Sequence, residues 1–430
     1  MSPRLTDPLA IGGCELPNRL YRAPLLECAG NGPDAVEILI EELEPAAEAG
    51  AGLIFQGASI VTPEGGCAAP NMTHVADPDF VSRCSELTER IHDHGGKVFV
   101  QLEHGGLRSL ETWHRAYRDD HPDLRQLAVS EPPGLLKFAE RLGFLSYDPH
   151  VLATGEVYDL ADRFGDSASC AADAGYDGIH VAGANMGIVQ QFLSPYYNRR
   201  EDEFAEGTRF LEAVHDAIRE RAGDVPLVTK VPAETHSPPG VRTRLSIPDA
   251  VRIAEAAERI GFDAVVPVDG SVFWDMSIVR GEYPERAWSD SRFEAGYEST
   301  FGGRRWRLIA AANRLHARGF AFEPSWNERF CREVRKRVGV PVLMEGGIRR
   351  RSGIDRLLGT GACDAVGIGR PFYAEPRLPA RLLSDPKAEA ACENCNNCTV
   401  PQVAGARGVC RTPSVMARRG ELVREGAYDR

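Results

Sequence analysis

The sequence predicts an α/β fold, a (β/α)8 barrel with long βα loops and a cysteine-rich C-terminal extension. Eight short apolar runs recur along the chain, and segments of helical period separate most of them. That alternation is typical of parallel sheets, whose strands need helical crossovers, and eight units predict closure into a barrel. A doubly wound open sheet is the alternative, but no G-x-G-x-x-G follows the first run.

Length and composition limit the classes of function. The chain has 430 residues, 43% of them apolar, and a net charge of −12, which argues against nucleic-acid or anionic-membrane partners. No stretch approaches 18 apolar residues, and residues 1–11 lack the apolar core of a signal peptide. We therefore expect a cytoplasmic protein, with the barrel over residues 1–385 and the extension over residues 386–430.

Each barrel unit has its own signal. Asp34 is placed to cap the first helix and Gly50 to end it. Residues 109–155 and 269–302 lack a clean period and predict long excursions over the barrel mouth, and residues 191–195 predict a loop. We expect strands at 19–25, 53–57, 97–102, 177–181, 226–231, 263–268, 340–344 and 363–368, with helices at 34–49, 77–94, 156–174, 203–221, 247–260, 303–317 and 326–338.

The last two predicted strands end in glycine. Gly346 and Gly347 follow one, and Gly369 and Arg370 follow the other. Backbone N–H groups at such turns can approach a ligand closely, and an arginine side chain suits a phosphate. In barrels of this class the loops after strands seven and eight are the usual phosphate site.

Six motifs occur in an order that resembles the old yellow enzyme family of FMN-dependent oxidoreductases, from about residue 5 to about residue 385. They are Pro17-Asn18-Arg19 with Ala23-Pro24, Gly52 to Gly57 with Thr62-Pro63-Glu64-Gly65, Gln101-Leu102-x-His104, Gln191 to Pro195 with Asn198, Arg200 and Asp202, Glu345-Gly346-Gly347, and Gly369-Arg370-Pro371-Phe372. The resemblance implies an FMN-binding barrel, NAD(P)H as electron donor and a small organic substrate.

The resemblance also implies roles for individual residues. Gln101 matches the mixed donor and acceptor edge of the flavin pyrimidine. Lys230 stands where the family has a basic residue near flavin N1 and O2, where a cation stabilises reduced flavin. The implied FMN-binding set is Ala23, Pro24, Gly57, Gln101, Lys230, Gly346, Gly347, Gly369 and Arg370.

The sequence departs from the family at the substrate site. Ala182 and Gly187 replace the His and Tyr that polarise the substrate and deliver its proton, and only Asn185 is kept. Near flavin O4, Leu26 replaces a Thr or Cys. Asn185 and His104 are therefore the catalytic candidates, and Tyr283 and Tyr297 are alternative proton donors.

Three other functions stay open. One is an oxidative flavoenzyme that acts on an amine or a C–H next to a heteroatom, as a dehydrogenase or demethylase, because such a reaction needs no proton delivery to carbon. Another is a flavin-binding protein with little turnover. The last is a flavin-free barrel lyase that uses Lys230 as a Schiff-base amine.

Four cysteines cluster beyond the barrel, at Cys392, Cys395, Cys398 and Cys410. Four thiolates in this spacing suit [4Fe–4S], zinc or reduced thiols without metal. The iron–sulfur branch of the family, which resembles dienoyl-CoA reductases, has one residue more between its second and third cysteines. An iron–sulfur cluster here implies an electron-transfer partner, and we expect a homo-oligomer.

Overall fold

The computed structural model describes residues 3–273 and 275–429. Met1 and Ser2 of the segment examined for a signal peptide lie outside this range. Eight parallel strands lie in the order of the chain around one barrel, and a bridge between Val265 and Val342 closes the ring. The strands are β1 (Leu20–Arg22), β2 (Leu53–Ile60), β3 (Lys97–Glu103), β4 (Gly178–Val181), β5 (Leu227–Ala233), β6 (Ala264–Asp269), β7 (Leu343–Met344) and β8 (Ala365–Ile368).

Helices connect the strands on the outside of the barrel. Local signals set their ends: the Ser246 hydroxyl accepts from the Asp249 N–H at the start of one, and Gly261 ends it in a left-handed conformation. The connecting helices are Ala35–Glu48, Pro78–Arg83, Ser85–Asp93, Thr154–Asp173, Thr208–Ala222, Ile247–Ile260, Glu328–Arg335, Arg351–Gly359, Pro371–Ala374 and Leu378–Ser384. The predicted (β/α)8 barrel is confirmed.

The core has two layers because residues alternate across each strand. Inside the barrel, Phe55 contacts Tyr21 and Phe99 edge-on, with ring centroids 5.4 and 5.7 Å apart. The N-terminal hairpin, Leu9–Ile11 with Cys14–Leu16, packs on this cluster and covers the amino-terminal end of the barrel. A larger apolar layer lies between strands and helices. With one end closed, ligands have access from the carboxyl ends of the strands.

Two local predictions are wrong. Residues 191–195 are predicted as a loop, but residues 191–193 belong to the helix Ile188–Leu193, which is buried throughout. Residues 77–94 form two helices that break at Cys84, not one. Both errors come from tertiary context, since burial against neighbours can induce a short helix without a regular sequence period.

The two long excursions contain short elements. The first holds the helices Leu110–Trp113, Arg115–Asp120 and Gly134–Arg141 and a small parallel pair of strands, Leu127–Ala128 and His150–Val151. The second, over residues 269–302, contains the helices Glu285–Ser289 and Ser291–Phe301, and the helix Trp306–Ala317 directly follows it, where the sequence predicts a helix. At the C-terminus, Val400–Ala404 is a 3-10 helix and Pro413–Arg424 an α-helix.

The segment after residue 385 packs on the barrel. Its Ala390 N–H donates to the Arg349 carbonyl at 2.9 Å, and the Tyr428 hydroxyl donates to Glu375 at 2.8 Å. The domain boundary at residue 385 stays a prediction. No helix among the described residues is long and apolar enough to cross a bilayer.

Candidate active site

Gln101 and Lys230 lie on neighbouring parts of the barrel wall. Gln101 on β3 stands opposite His180 on β4 in register, and its amide Nε2 lies 3.3 Å from His180 Nδ1. If the amide donates, the His180 proton sits on Nε2, which is buried and has no acceptor among the described residues. Burial, with Lys230 nearby, holds the pKa of His180 well below its usual value. His180 is therefore neutral, a polar residue that the sequence analysis missed.

Lys230 on β5 forms a buried ion pair across the mouth. Its Nζ donates to Glu345 Oε2 at 3.0 Å, and Glu345 lies directly after β7. The other oxygen, Glu345 Oε1, is buried without a hydrogen bond to any described residue. A charged pair that keeps an unused acceptor at the barrel mouth has capacity for a further polar ligand.

The ends of β7 and β8 present backbone donors. Within residues 3–273 and 275–429, the N–H groups of Gly346, Gly347, Gly369 and Arg370 have no acceptor. Gly346 and Gly347 have φ of 112° and 69°, and consecutive N–H groups in such turns form anion-binding concavities. We call these four N–H groups the phosphate cradle.

The Arg370 side chain is engaged by protein groups. Its guanidinium donates to the carbonyls of Val279 at 3.2 Å and Arg280 at 2.7 Å, and to the Asn396 side-chain oxygen. It therefore ties the end of β8 to the second excursion and to the cysteine segment. Its backbone N–H, not its side chain, is the group that the structure leaves open for an anion.

Gly57 is covered by the loop that follows β1. Its N–H donates to Glu27 Oε2 at 3.0 Å, and a side chain at this position would overlap the Leu25 carbonyl. Glu27 in turn pairs with Arg22 at 2.8 Å, with both side chains almost fully buried. Sequence reasoning missed this pair. Gly57 faces protein atoms here, so its contact with a flavin ring stays a prediction.

Ala23 and Pro24 connect β1 to this loop. The Ala23 N–H donates to the Ile368 carbonyl at 2.9 Å, which extends the pairing of β1 with β8. Pro24 has no N–H to donate and can contribute only apolar contact.

Asn185 lies in a strained turn after β4. Asn185 and Met186 both have left-handed backbones, with φ of 70° and 65°, a conformation that costs energy in residues other than glycine. Arg108 Nη1 donates to the Asn185 carbonyl at 2.6 Å, and the Met186 N–H donates to Gln190 Oε1 at 2.7 Å. One long-range and one local hydrogen bond therefore hold the turn that presents Asn185.

Asn185 and Arg108 line one narrow cavity between the ends of β4, β5 and β6. Its volume is about 20 Å³, room for about one water molecule. The buried Arg108 guanidinium lies 3.4 Å from the buried Glu103 carboxylate, which compensates its charge. No tyrosine or histidine among the described residues lines the cavity; its lining is Arg108, Ala184, Asn185, Met186, Gln190, Pro232, Ala233, Val268, Gly270, Ser271, Phe273, Asp275, Ser277 and Ile278.

His104 is used within its own turn. Its Nε2 lies 3.0 Å from the Glu64 carbonyl, and its Nδ1 accepts from the Gly106 N–H at 3.1 Å. Burial lowers the pKa of His104 to about 4, so that the ring is neutral near pH 7. The structure thus places His104 beside the β3 loop but outside the lining of the cavity.

The other substrate-site positions offer no replacement donor at the cavity. Ala182 and Gly187 bring no polar side chain. Tyr297 is buried in the second excursion, where its hydroxyl donates to the Ala287 carbonyl at 3.1 Å, and Tyr283 packs against Arg314 at 4.5 Å. Leu26 uses its carbonyl to accept from the Tyr373 hydroxyl at 2.7 Å.

The four clustered cysteines are unbonded thiols in this structure. Burial is the main reason that the pKa of Cys398 is raised to about 12; Arg370 opposes this shift and the other three thiols contribute to it, so the four thiols lie in one neighbourhood. Cys395 Sγ lies 2.9 Å from the Thr412 hydroxyl. Within the described part of the chain, no three histidine, cysteine or acidic side chains are arranged to hold a metal ion.

The residues present fit the phosphate end of FMN well and the ring end of FMN in part. The phosphate cradle offers four open donors, as a phosphate group requires. At the ring end, His180 Nε2 and Glu345 Oε1 are buried polar atoms without partners, beside Gln101 and Lys230. Gly57, whose N–H already serves Glu27, is the exception. A (β/α)8 barrel with these features fits the class of flavin-binding oxidoreductases.

The chain belongs to the NADH:flavin oxidoreductase / NADH oxidase family, whose model matches residues 4–272. It is 26% identical to the NADH oxidase of Thermoanaerobacter brockii over 95% of this chain but 57% of that protein. It is also 26% identical to the 4,4'-dithiodibutanoate disulfide reductase of Rhodococcus erythropolis over 98% of both chains. Among solved structures, the old yellow enzyme homologue of Zymomonas mobilis superposes with a TM-score of 0.64 at 20% identity, covering 96% of this chain and 98% of that one.

Proposed function

We propose that the chain binds FMN at the barrel mouth and transfers reducing equivalents between NAD(P)H and a small organic substrate. The phosphate cradle is the observation that carries this proposal, because four open backbone donors at two neighbouring strand ends form a concavity suited to an anion. When bound, FMN supplies hydride chemistry at its ring. Gln101 would orient the pyrimidine edge, and Lys230 would hold positive charge beside it, positioned by Glu345.

Titration of the protein with FMN and with riboflavin tests the proposal. Both flavins share the ring, so the ratio of their dissociation constants isolates the phosphate. We expect FMN to bind about tenfold tighter or more, since the cradle donates charge-assisted hydrogen bonds only to the phosphate. Failure of both flavins to bind would overturn the proposal, and equal affinity would reject the cradle as its phosphate site.

A specific observation favours the oxidative direction as a second candidate function. The cavity beside Asn185 is lined by no tyrosine or histidine among the described residues, so the residue types that would polarise the substrate and protonate its carbon in the reductases that the sequence resembles are not found there. Rapid mixing of reduced protein with an enone or quinone, and of oxidised protein with N-methyl amines, separates the directions. Fast flavin reoxidation by the enone would exclude the amine oxidase, and absence of turnover with either would favour a flavin-binding protein.

We also propose a metal centre at Cys392, Cys395, Cys398 and Cys410. The mutual influence of the four thiols supports it, and closure around a metal would require deprotonation and a small rearrangement. Metal analysis and the visible spectrum of anaerobically purified protein decide between iron–sulfur and zinc. A protein with less than stoichiometric metal would leave reduced thiols. An iron–sulfur result would imply an electron-transfer partner, and light scattering tests the expected homo-oligomer.

A further inference from the structure

Exposed apolar side chains concentrate on two helices of the excursions. Of the nine large hydrophobic residues that are exposed in the described structure, six lie on or next to the helices Gly134–Arg141 and Trp306–Ala317. Such concentration marks an interaction surface, whereas scattered exposed apolar residues do not. The six are Leu135 (44% exposed), Phe138 (55%), Leu142 (55%), Phe144 (40%), Leu308 (60%) and Leu315 (65%).

One hydrogen bond joins the segments next to the two helices. The Arg305 guanidinium, at the start of the second helix, donates to the Gly143 carbonyl at 2.7 Å. Leu142 and Phe144 flank Gly143 in the chain, and Leu308 lies one helical turn beyond Arg305. The two sets of apolar side chains therefore belong to one region of the surface.

The second helix presents a stripe with helical spacing. Arg304, Leu308, Ala311, Leu315 and Arg318 follow each other at intervals of four and three residues and are all exposed, which places them along one side of the helix. On the first helix, Leu135, Phe138 and Leu142 repeat the pattern. Both stripes are apolar at the centre and face solvent.

Arginines border the stripes. Between residues 303 and 320 the chain has five arginines and no aspartate or glutamate, although its net charge is −12. Arg307 and Arg314 pair with Glu294 at 3.4 Å and Glu285 at 3.1 Å. Among the described residues, Arg141, Arg304 and Arg318 are exposed and contact no carboxylate within 4.0 Å. The region thus keeps a local positive charge.

We propose that this basic-apolar face, formed by the six apolar residues with Arg141, Arg304 and Arg318, docks onto an anionic phospholipid surface. Leucine and phenylalanine flanked by arginine are the composition of helices that lie at the headgroup boundary, where apolar side chains insert and cations meet lipid phosphates.

Two observations favour a lipid surface over other occupants. A symmetric pair of copies would place this face against itself, and the nine residues of the face include no carboxylate to pair with its arginines. An acidic protein segment would need a groove or pocket for its anchor residues. Two cavities of the structure, one beside Asn185 and one beside His150, are lined by none of these residues, and the six apolar residues are 40% to 65% exposed.

Cosedimentation of the full-length protein with vesicles tests the proposal. The vesicles contain phosphatidylcholine alone or phosphatidylcholine with phosphatidylglycerol. We expect binding to the mixed vesicles, at least about tenfold weaker binding to phosphatidylcholine alone, and loss of binding at high salt. No binding to the mixed vesicles, or equal binding to both kinds, would overturn the proposal.

Matched variants identify the face. The pair Leu308→Gln and Leu315→Gln, and separately Arg304→Gln and Arg318→Gln, should each weaken vesicle binding about tenfold. The control pair Met416→Gln and Val423→Gln changes exposed apolar residues of the helix Pro413–Arg424 and should leave binding unchanged. Circular dichroism of every variant verifies folding.

Two further results would overturn the lipid assignment. If the Leu308 and Leu315 variants change the molar mass measured by light scattering without lipid, a second copy covers the face. If these variants retain full vesicle binding while they lose the capture of an acidic protein, the partner is a protein.

Discussion

The two ends of the barrel mouth are built in different ways. At β7 and β8, the groups open to a ligand are backbone N–H groups, mostly of glycines. This end of the mouth therefore does not depend on the position of a long side chain. At β4, the chain forces Asn185 and Met186 into left-handed conformations and holds them with Arg108 and Gln190. The sequence predicts that the cofactor end keeps the motifs of the family and that Ala182 and Gly187 stand in place of two polar side chains at the substrate end.

The largest expected effect comes from Arg108→Ala at the substrate end. This change leaves the buried Glu103 without its cation and the Asn185 carbonyl without its donor. We expect a loss of about 3–5 kcal/mol in unfolding free energy and a fall of roughly 100-fold in turnover as the turn relaxes. FMN affinity should persist, because the cradle is built separately.

Denaturant unfolding and flavin titration of the same preparation check this prediction. The double variant Arg108→Met and Glu103→Gln removes both charges and should recover most of the stability. Equal losses of flavin and substrate binding in the single variant would show that the two ends are one cooperative unit.

Lowering the pH should reduce the free energy of unfolding, and His104 should contribute to this loss. Its pKa is about 4 when folded against 6.5 unfolded, so between these values the unfolded state binds more protons and stability falls as pH falls. We expect His104 to contribute a loss of up to about 3 kcal/mol between pH 7 and pH 4, with His180 acting in the same direction. Chemical unfolding across this range measures the slope.

His104→Gln should flatten that slope, and the exposed His316→Gln should leave it unchanged. A wild-type slope retained in His104→Gln would show that other groups, such as the carboxylates with lowered pKa at Asp202, Asp269 and Glu328, dominate acid unfolding.

The smallest expected effect comes from Gly346→Ala at the cofactor end. The φ of 112° strains a residue with a side chain, and the added Cβ would lie 2.6 Å from the Trp326 ring. We expect a loss of about 1–3 kcal/mol in unfolding free energy and weaker FMN binding. Riboflavin binding should change less, since it lacks the phosphate.

Gly353→Ala is the matched control for this substitution. Gly353 lies in the helix Arg351–Gly359 with no atom within 4 Å of an added Cβ, and alanine there should stabilise the protein by about 0.5–1 kcal/mol. Melting curves of both variants provide the comparison. A tolerated Gly346→Ala would mean that the turn can take another conformation.

The barrel was predictable because its signals are local. Apolar runs separated by segments of helical period predicted all eight strands to within a few residues, and Gly50 follows the C-cap of the first helix as expected, although the Asp34 side chain makes no capping hydrogen bond. The helix Ile188–Leu193 was missed because burial, not period, maintains it. In the candidate site, Gln101, Lys230 and the glycines follow strand ends, so their common location at the barrel mouth was predictable from topology.

Partners far apart in sequence were not predictable. Arg108 meets the Asn185 carbonyl across 77 positions, and Lys230 meets Glu345 across 115. The pairing of Glu27 with Arg22 and Gly57 depends on how one loop folds over β2. Local charge also differs from net charge, since a chain of −12 carries five arginines and no acid between residues 303 and 320. An average over a sequence does not describe its surface.

The barrel closes between β6 and β7 through the single bridge from Val265 to Val342, and β7 has only two residues. Such a joint has far fewer interstrand hydrogen bonds than its neighbours, so deuterium should enter there before it reaches β2 or β3. The same joint marks where the gene could be divided, with one fragment carrying β1 to β6 and the other the remaining strands and the thiols. If two such fragments reassembled, the barrel could be formed from two separate chains that meet at β6 and β7.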